Sequence, residues 1–370
     1  MLLHLNIFFS LLISFSIVYF MIPIIIKIAR MKNLVDVPNH RSAAKQIVPT
    51  LGGIAIYTGF RISQIISLDS YNVNELRYMS LAVLVMFIVG LKDDIVGVSA
   101  RSKLAIQVAM AFYLVYFGNY YFTNLHGIFG IYQIDYVVGT LLSIIAIVGI
   151  INSINLIDGI DGLSSGIGIL ISVVFGILFL NNGDYIYAMT CFCLTGSLIA
   201  FFLYNVFGSS NKIFMGDTGS LILGTIVALL VIHFNEFTSA QNQNLFGLPA
   251  ISLAIIIVPV IDTIRIFAIR LSQGKSPFTP DMNHIHHQML RLTGNHLHSS
   301  LIIIAANALI IFLAFSLIDT IGNNNLFFLL LISGFILAAI PYWILKFKSR
   351  RSAEQSENKS IFAFFTFLKK

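Results

Sequence analysis

The acidic residues able to do chemistry fall in a few short segments. Asp93 and Asp94 are adjacent in "GLKDDIVGVSARSK", at the end of an apolar run. Neighbouring carboxylates repel one another, and leaving both unpaired beside apolar surroundings is costly, so the pair calls for a cation. Asp217 lies in "GDTGS", where flanking glycines let backbone amides approach a ligand and the following helix offers its positive end. In "NSINLIDGIDGLSSG", residues 152 to 166, Asn152, Asn155, Asp158 and Asp161 recur every three residues, so each neighbours the next on a helix, with Gly159 and Gly162 loosening the backbone. These carboxylates and the side-chain oxygen of Asn155 are hard ligands, which suit Mg²⁺ or Mn²⁺ better than zinc. Each segment alone has an ordinary reading: a solvated helix end for Asp93 and Asp94, a helix start capped by Asp217 or Thr218 for "GDTGS". Together they describe a metal-assisted site.

His284, His286 and His287 in "HIHH" invite a zinc reading. No Cys or His pair elsewhere in the loops on the same side completes a set, and the i, i+2, i+3 spacing is poor for one metal on a helix. Arg265, Arg270, Lys275 and Arg291 are close in sequence, which favours a phosphate-binding loop. A surface loop without function is the remaining alternative. Acids with a divalent metal beside Lys, Arg, His and helix N-termini are what phosphoryl transfer requires, because that chemistry rests on positioning and charge stabilisation.

The elements that must hold these residues are membrane helices. Of 370 residues, 57% are hydrophobic and only 10% charged, and the mean hydropathy is +0.89. That composition predicts an all-α polytopic integral membrane protein and excludes an ordinary soluble domain. About eleven apolar stretches are long enough, or nearly so, to cross roughly 30 Å of hydrocarbon. They lie near residues 4–26, 50–68, 78–91, 103–121, 134–151, 163–180, 186–204, 218–234, 248–268, 300–320 and 326–345. Lys27, Arg30 and Lys32 follow the first stretch at once, which places the N-terminus outside and the C-terminus in the cytoplasm. That orientation puts 20 of the 22 Lys and Arg on the cytoplasmic side. The net charge of +6 is then mostly positive-inside bias and no nucleic-acid footprint. All the polar segments fall on that same side, giving a cytoplasmic-face active site. Residues 1–345 read as a single transmembrane domain and 346–370 as a cytoplasmic tail, either an interfacial anchor on anionic lipid or disordered. Cys191 and Cys193 read as buried apolar residues.

Along nearly its whole length the chain resembles the polyprenyl-phosphate N-acetylhexosamine-1-phosphate transferases of glycosyltransferase family 4. The segments "VDVPNHR", "PTLGG", "GLKDD", "NSINLIDGIDGLSSG", "IFMGDTGSLILG" and "SPFTPDMNHIHH" appear in family order and spacing. The "PFTPDMNHIHH" loop is similar to the branch that uses undecaprenyl phosphate and UDP-N-acetylglucosamine, and lacks the longer histidine block of the muramoyl-pentapeptide branch. The resemblance implies a bacterial inner-membrane enzyme. It would transfer N-acetylhexosamine-1-phosphate, GlcNAc-1-phosphate first, from a UDP-N-acetylhexosamine to undecaprenyl phosphate. UMP is released, and the lipid-diphospho-sugar starts a cell-envelope polysaccharide such as O-antigen. Mg²⁺ is the implied cofactor, with Mn²⁺ as substitute, and a homodimer the implied assembly.

By motif match, Asp217 and Asn155 hold the metal, and Asp93 and Asp94 meet the lipid phosphate. Lys103 lies near the diphosphate, Phe214 stacks on uracil and Asp161 reads its edge. Arg270, His284, His286 and His287 belong to the loop covering sugar and diphosphate, with His284 among the catalytic group. Asn152 and Asp158 match scaffold or nucleotide-site residues. One departure concerns the first loop: Ser42 and Ala44 stand where many members of the branch carry Lys and His, so a phosphate contact there falls to Arg41 or Lys45. Two other classes fit the composition: a transporter with an acidic cation-binding site, since intramembrane-edge acids mark ion-coupled carriers, and an inactive scaffold.

Overall fold

The structure is a computed structural model and describes residues 2–36, 48–69, 71, 73–236, 248–276 and 282–367, with side chains described for those of them from 5 to 350 other than Asp36 and Glu75. It is mostly helical. The helices are α1 (Leu2–Met31), α2 (Gly52–Ser67), α3 (Leu76–Val96), α4 (Ala100–Gly118), α5 (Tyr136–Ile157) and α6 (Leu163–Asn181). They continue with α7 (Tyr185–Phe207), α8 (Gly216–Glu236), α9 (Pro249–Ser272), α10 (Ile285–Thr293) and α11 (His296–Phe367). Seven of them, α1, α5 to α9 and α11, are long and apolar enough to cross a membrane. The shorter α2, and α3 and α4 with charges near their ends, fall below that standard. α11 covers both of the last two expected stretches and breaks between them at Gly322, whose φ of 76° and ψ of 164° are outside the helical region.

Among the described residues, two antiparallel strand pairs depart from a purely helical fold. β1 (Val35–Asp36) pairs with β2 (Val48–Pro49), and β3 (Asn124–Ile128) with β4 (Ile131–Gln133). The second lies between the expected apolar stretches 103–121 and 134–151. Its residues brace the break in α11: Asn323 donates to the His126 carbonyl at 2.9 Å, and the Phe129 amide donates to Asn324 at 2.9 Å. Two further differences concern the chain's end. The short amphipathic α10 was expected as part of a loop, and the tail backbone continues α11 as helix to Phe367.

α8 is the centre of the bundle. Its apolar span is 89% buried, against 33% for α1 and α11, and it packs on α3, α5 and α2. Outward-facing apolar side chains such as Phe20, Ile145, Phe312 and Ile332 are more than half exposed, a pattern stable only where lipid replaces water.

Helices approach α8 so closely that only glycine fits. A Cβ on Gly90 of α3 would lie 2.4 Å from the Thr218 Cα, and one on Gly53 of α2 would lie 2.2 Å from the Gly219 nitrogen. Small residues permitting close backbone approach are the usual means of packing membrane helices. Gly90→Ala should therefore force α3 away from the start of α8, at a cost of about 1–3 kcal/mol. Thermal unfolding of the purified variant checks this, and an unchanged transition would show the contact to be slack.

Candidate active site

The start of α8 is built by three neighbours. The Gly52 and Gly53 amides of the "PTLGG" segment donate to the carbonyls of Phe214 at 3.0 Å and Met215 at 2.9 Å. In return the Phe214 amide donates to the Pro49 carbonyl at 2.8 Å. Gly216 turns the chain into the helix with a φ of 69°, and a Cβ there would meet Asp94 at 2.5 Å. That conformation and that space both demand glycine.

Asp94 closes this helix start from α3. Its Oδ1 accepts from the Asp217 amide at 2.8 Å, and its Oδ2 accepts from the Thr218 amide at 3.0 Å and the Thr218 hydroxyl at 2.6 Å. A carboxylate satisfying donors of a first turn is a cap, here supplied from another helix and not by Asp217 or Thr218 themselves. The adjacent pair is thus divided. Asp94 is committed to α8, whereas Asp93 forms an ion pair with Lys103, which also lies 2.8 Å from Asp217. The Lys103 ammonium sits between two carboxylates, as a cation stand-in. Asn155 donates to Asp217 Oδ1 at 2.5 Å and to the Ser220 hydroxyl at 2.8 Å. Asp93, Lys103, Asn155 and Asp217 therefore meet at one point, from the ends of α3, α4, α5 and α8.

The threefold spacing in residues 152–161 does not act as one helical row. α5 ends at Ile157, and Gly162, with a φ of 76°, opens α6. Only Asn152 and Asn155 lie on the helix. Asn152 donates to Gln107 of α4 at 2.6 Å and to the Val148 carbonyl, a scaffold contact. Asp161 faces a different group: Lys212 Nζ at 2.5 Å and His296 Nδ1 at 3.1 Å. Burial alone would raise its carboxyl, but the hydrogen bonds from His296 and Lys212 hold it below the usual carboxylate range. Lys212 Nζ is also 5.8 Å from the centre of the Phe214 ring, so Phe214 and Asp161 share Lys212 as a neighbour. Asn205 ties the two segments together, accepting from the Gly162 amide at 2.6 Å and donating to the Ile213 carbonyl at 2.9 Å.

Asp158 stands between the two groups. Burial, then the charges of Asp217, Asp94 and Asp161, push its carboxyl up to about 8, so it is protonated at neutral pH. A folded-state value above the unfolded value of about 3.9 gives stability that is complete below that value and lost as pH rises through about 8. Without divalent cation, thermal stability should fall over that window, and Asp158→Asn should flatten the slope. An unchanged slope in the variant would assign it to other groups.

The histidine loop packs on the same turn. His286 Nε2 lies 2.2 Å from where a Gly159 Cβ would be. Burial, then the neighbouring His287 and His284 rings, push His286 down to about 3 against the pull of Asp262, which leaves it neutral. His287 packs against it with ring centres 4.2 Å apart. His284 immediately precedes α10, and its side chain points away from the helix's free amides. Its Nδ1 donates to Asp262 Oδ2 at 2.9 Å, and its Nε2 accepts from Arg270 Nη2 at 3.4 Å. Among the described residues, Asp262, His284 and His286 form a group able to hold a metal ion, with ligand atoms within 4.8 Å of one another. Arg265 Nη2 already lies 2.9 Å from Asp262 Oδ1, and Arg270 faces His284. Two guanidinium cations oppose a metal there and favour a hydrogen-bonded network. Asp217, Asn155 and Asp93 offer the harder donor set, and the cation already lodged among them fits a divalent ion.

Lys45 and Arg41 lie outside the described residues, as do positions 277–281 of the "SPFTPDMNHIHH" segment. Sequence reasoning missed Lys212, His296, Asn205 and Asp262. The first three act across 51, 135 and 43 positions, beyond any local pattern. Asp262 carried a signal, an acid in an apolar helix three residues before an arginine.

A family model described as glycosyl transferase family 4 matches residues 76–235, which include Asp93, Asp94, Lys103, Asn155, Asp158, Asp161, Phe214 and Asp217. A Pasteurella multocida protein named undecaprenyl-phosphate alpha-N-acetylglucosaminyl 1-phosphate transferase is 33% identical over 367 residues, covering 94% of this chain and 97% of its own. Proteins of the same name from Escherichia coli K12 and Haemophilus influenzae are 30% identical over 268 residues and 34% over 263. These cover 72% and 70% of this chain, and 71% and 72% of their own. With a relative aligned almost end to end, and a matched segment that holds the acid cluster, the chain belongs to glycosyl transferase family 4.

Proposed function

We propose that the protein transfers N-acetylhexosamine-1-phosphate, GlcNAc-1-phosphate first, from a UDP-sugar to undecaprenyl phosphate. An oxygen of the lipid phosphate attacks the sugar-bearing phosphorus, the bond to the bridging oxygen breaks, and UMP leaves with that oxygen. The product is the lipid-diphospho-sugar that begins a cell-envelope polysaccharide. The observation that carries this reading is Lys103 lodged between Asp93 and Asp217 at the N-terminal end of α8, a site suited to a diphosphate and its counter-ion. The names of the relatives supply the acceptor and the transferred group of those proteins.

Asp217 and Asn155 are the residues that would hold Mg²⁺, or Mn²⁺ in its place. A divalent ion there neutralises diphosphate charge. Lys103, released from its carboxylates, faces a diphosphate oxygen. Phe214 stacks on uracil, while Asp161, ionised and held by Lys212 and His296, accepts from the uracil N–H. Arg270, His284, His286 and His287 cover sugar and diphosphate. The lipid phosphate is largely ionised already, its second pKa being about 6, so Asp93 orients the acceptor without having to remove a proton.

The accompanying topology is eleven crossings with the N-terminus outside, the C-terminus and site at the cytoplasmic face of a bacterial inner membrane, a transferase domain over 1–345 and a tail over 346–370. A homodimer belongs to the same reading. The reactive residues cluster at helix ends and not at mid-helix, which weighs against the transporter alternative. Incubating the protein with undecaprenyl phosphate, Mg²⁺ and a panel of UDP-sugars tests the donor. A lipid product whose mass equals undecaprenyl diphosphate plus N-acetylhexosamine is expected, and a product retaining uridine would overturn the reaction.

A further inference from the structure

Asp262 lies well inside α9, is 1% exposed, and has no part in the acid cluster. Its two oxygens are divided between tasks. Oδ1 accepts from Arg265 Nη2 at 2.9 Å and from the Ile285 amide at 3.1 Å, so it secures the first turn of α10. Arg265 Nη2 reaches on to the Asn283 carbonyl at 2.7 Å. Oδ2 accepts from His284 Nδ1. A carboxylate can only accept and a guanidinium can only donate. His284, placed between Asp262 and Arg270, is therefore held as the tautomer with hydrogen on Nδ1 and a lone pair on Nε2 directed at Arg270. Arg270 is itself 4% exposed, and a cation so deeply buried keeps its place only if its partners are fixed.

We propose that Asp262 is a positioning residue for the transfer reaction: through the tautomer of His284 it sets the guanidinium of Arg270 against the substrate diphosphate. The inference rests on the transferase reading and deepens it. It gives His284 the role of a link between Asp262 and Arg270 and removes it from candidacy as a free base, since both ring nitrogens are engaged. Arg265 is likewise a brace for the loop and not a phosphate ligand.

The test uses the full-length protein in detergent. In a spectrum of [¹⁵N]histidine-labelled protein, the His284 signal, identified by its loss in His284→Gln, should report hydrogen on Nδ1, and Asp262→Asn should shift it to the other tautomer. Hydrogen on Nε2 in the wild type overturns the proposal, as does an Asp262→Asn spectrum without change. In UMP-release assays Asp262→Asn should lower kcat about 10- to 100-fold, as loss of an orienting partner does, with the UDP-sugar KM within about 3-fold. The double variant Asp262→Asn/His284→Gln should be no slower than His284→Gln alone, within about 3-fold, because coupled residues are not additive. Losses that multiply would make Asp262 merely structural. If Asp262→Asn does not fold, the wild-type spectrum still decides. A wild type that releases no UMP sinks the transferase reading while the tautomer measurement stands apart.

Discussion

Asp217→Ala should lower turnover by on the order of 10³-fold while leaving the fold intact, an effect comparable to removing a preorganised charge-stabilising group. The side chain is 32% exposed, so little stability rests on it. Its oxygens instead meet Asn155 and Lys103, the two groups placed to share a metal and a diphosphate. With alanine, Lys103 retains Asp93 alone and Asn155 retains Ser220. The group of Phe214, Lys212 and Asp161 is untouched, so binding of UMP without metal should be nearly unchanged. Thermal unfolding, UMP binding and UMP release on one preparation separate these effects. Turnover within about ten-fold of wild type would remove Asp217 from the metal site.

Asp94→Ala should fail differently, losing stability and activity together. Three donors at the start of α8 lose their acceptor, and hydrogen bonds to a charged group contribute about 1.5–3 kcal/mol each when a partner is deleted. Water admitted to the half-buried position reduces the sum. The Asp217 backbone then loses its anchor, and a displacement of about 1 Å at a reacting centre costs on the order of 10²-fold. Asp93→Ala leaves those bonds in place and should lower activity without that stability loss. Paired thermal and kinetic measurements on the two variants make the comparison. Equal destabilisation would mean that α8 does not depend on Asp94.

These contrasts mark how far the sequence could be read. Membrane helices are legible because apolar runs of that length have one stable destination, and α5 to α9 fall where the runs predict. The acidic segments are legible because uncompensated carboxylates beside apolar runs require partners. Their division of labour is not. Asp93 and Asp94 are chemically identical neighbours, and only the approach of α8, permitted by Gly90, separates a cap from an ion-pair partner. The threefold pattern from Asn152 to Asp161 reads as one helical face, yet Gly159 and Gly162 end the helix midway and turn Asp161 toward Lys212 and His296. The histidines could not be resolved by spacing either, since the residue that organises them, Asp262, lies 22 positions away on another helix.

The central claim is that this acid cluster moves a sugar phosphate onto a lipid phosphate. Its most direct test is UMP release from UDP-GlcNAc by purified protein, with and without undecaprenyl phosphate, in Mg²⁺ and in chelator. Release only when lipid phosphate and Mg²⁺ are both present is the predicted result. Release independent of the lipid, or none with any UDP-N-acetylhexosamine, would contradict it.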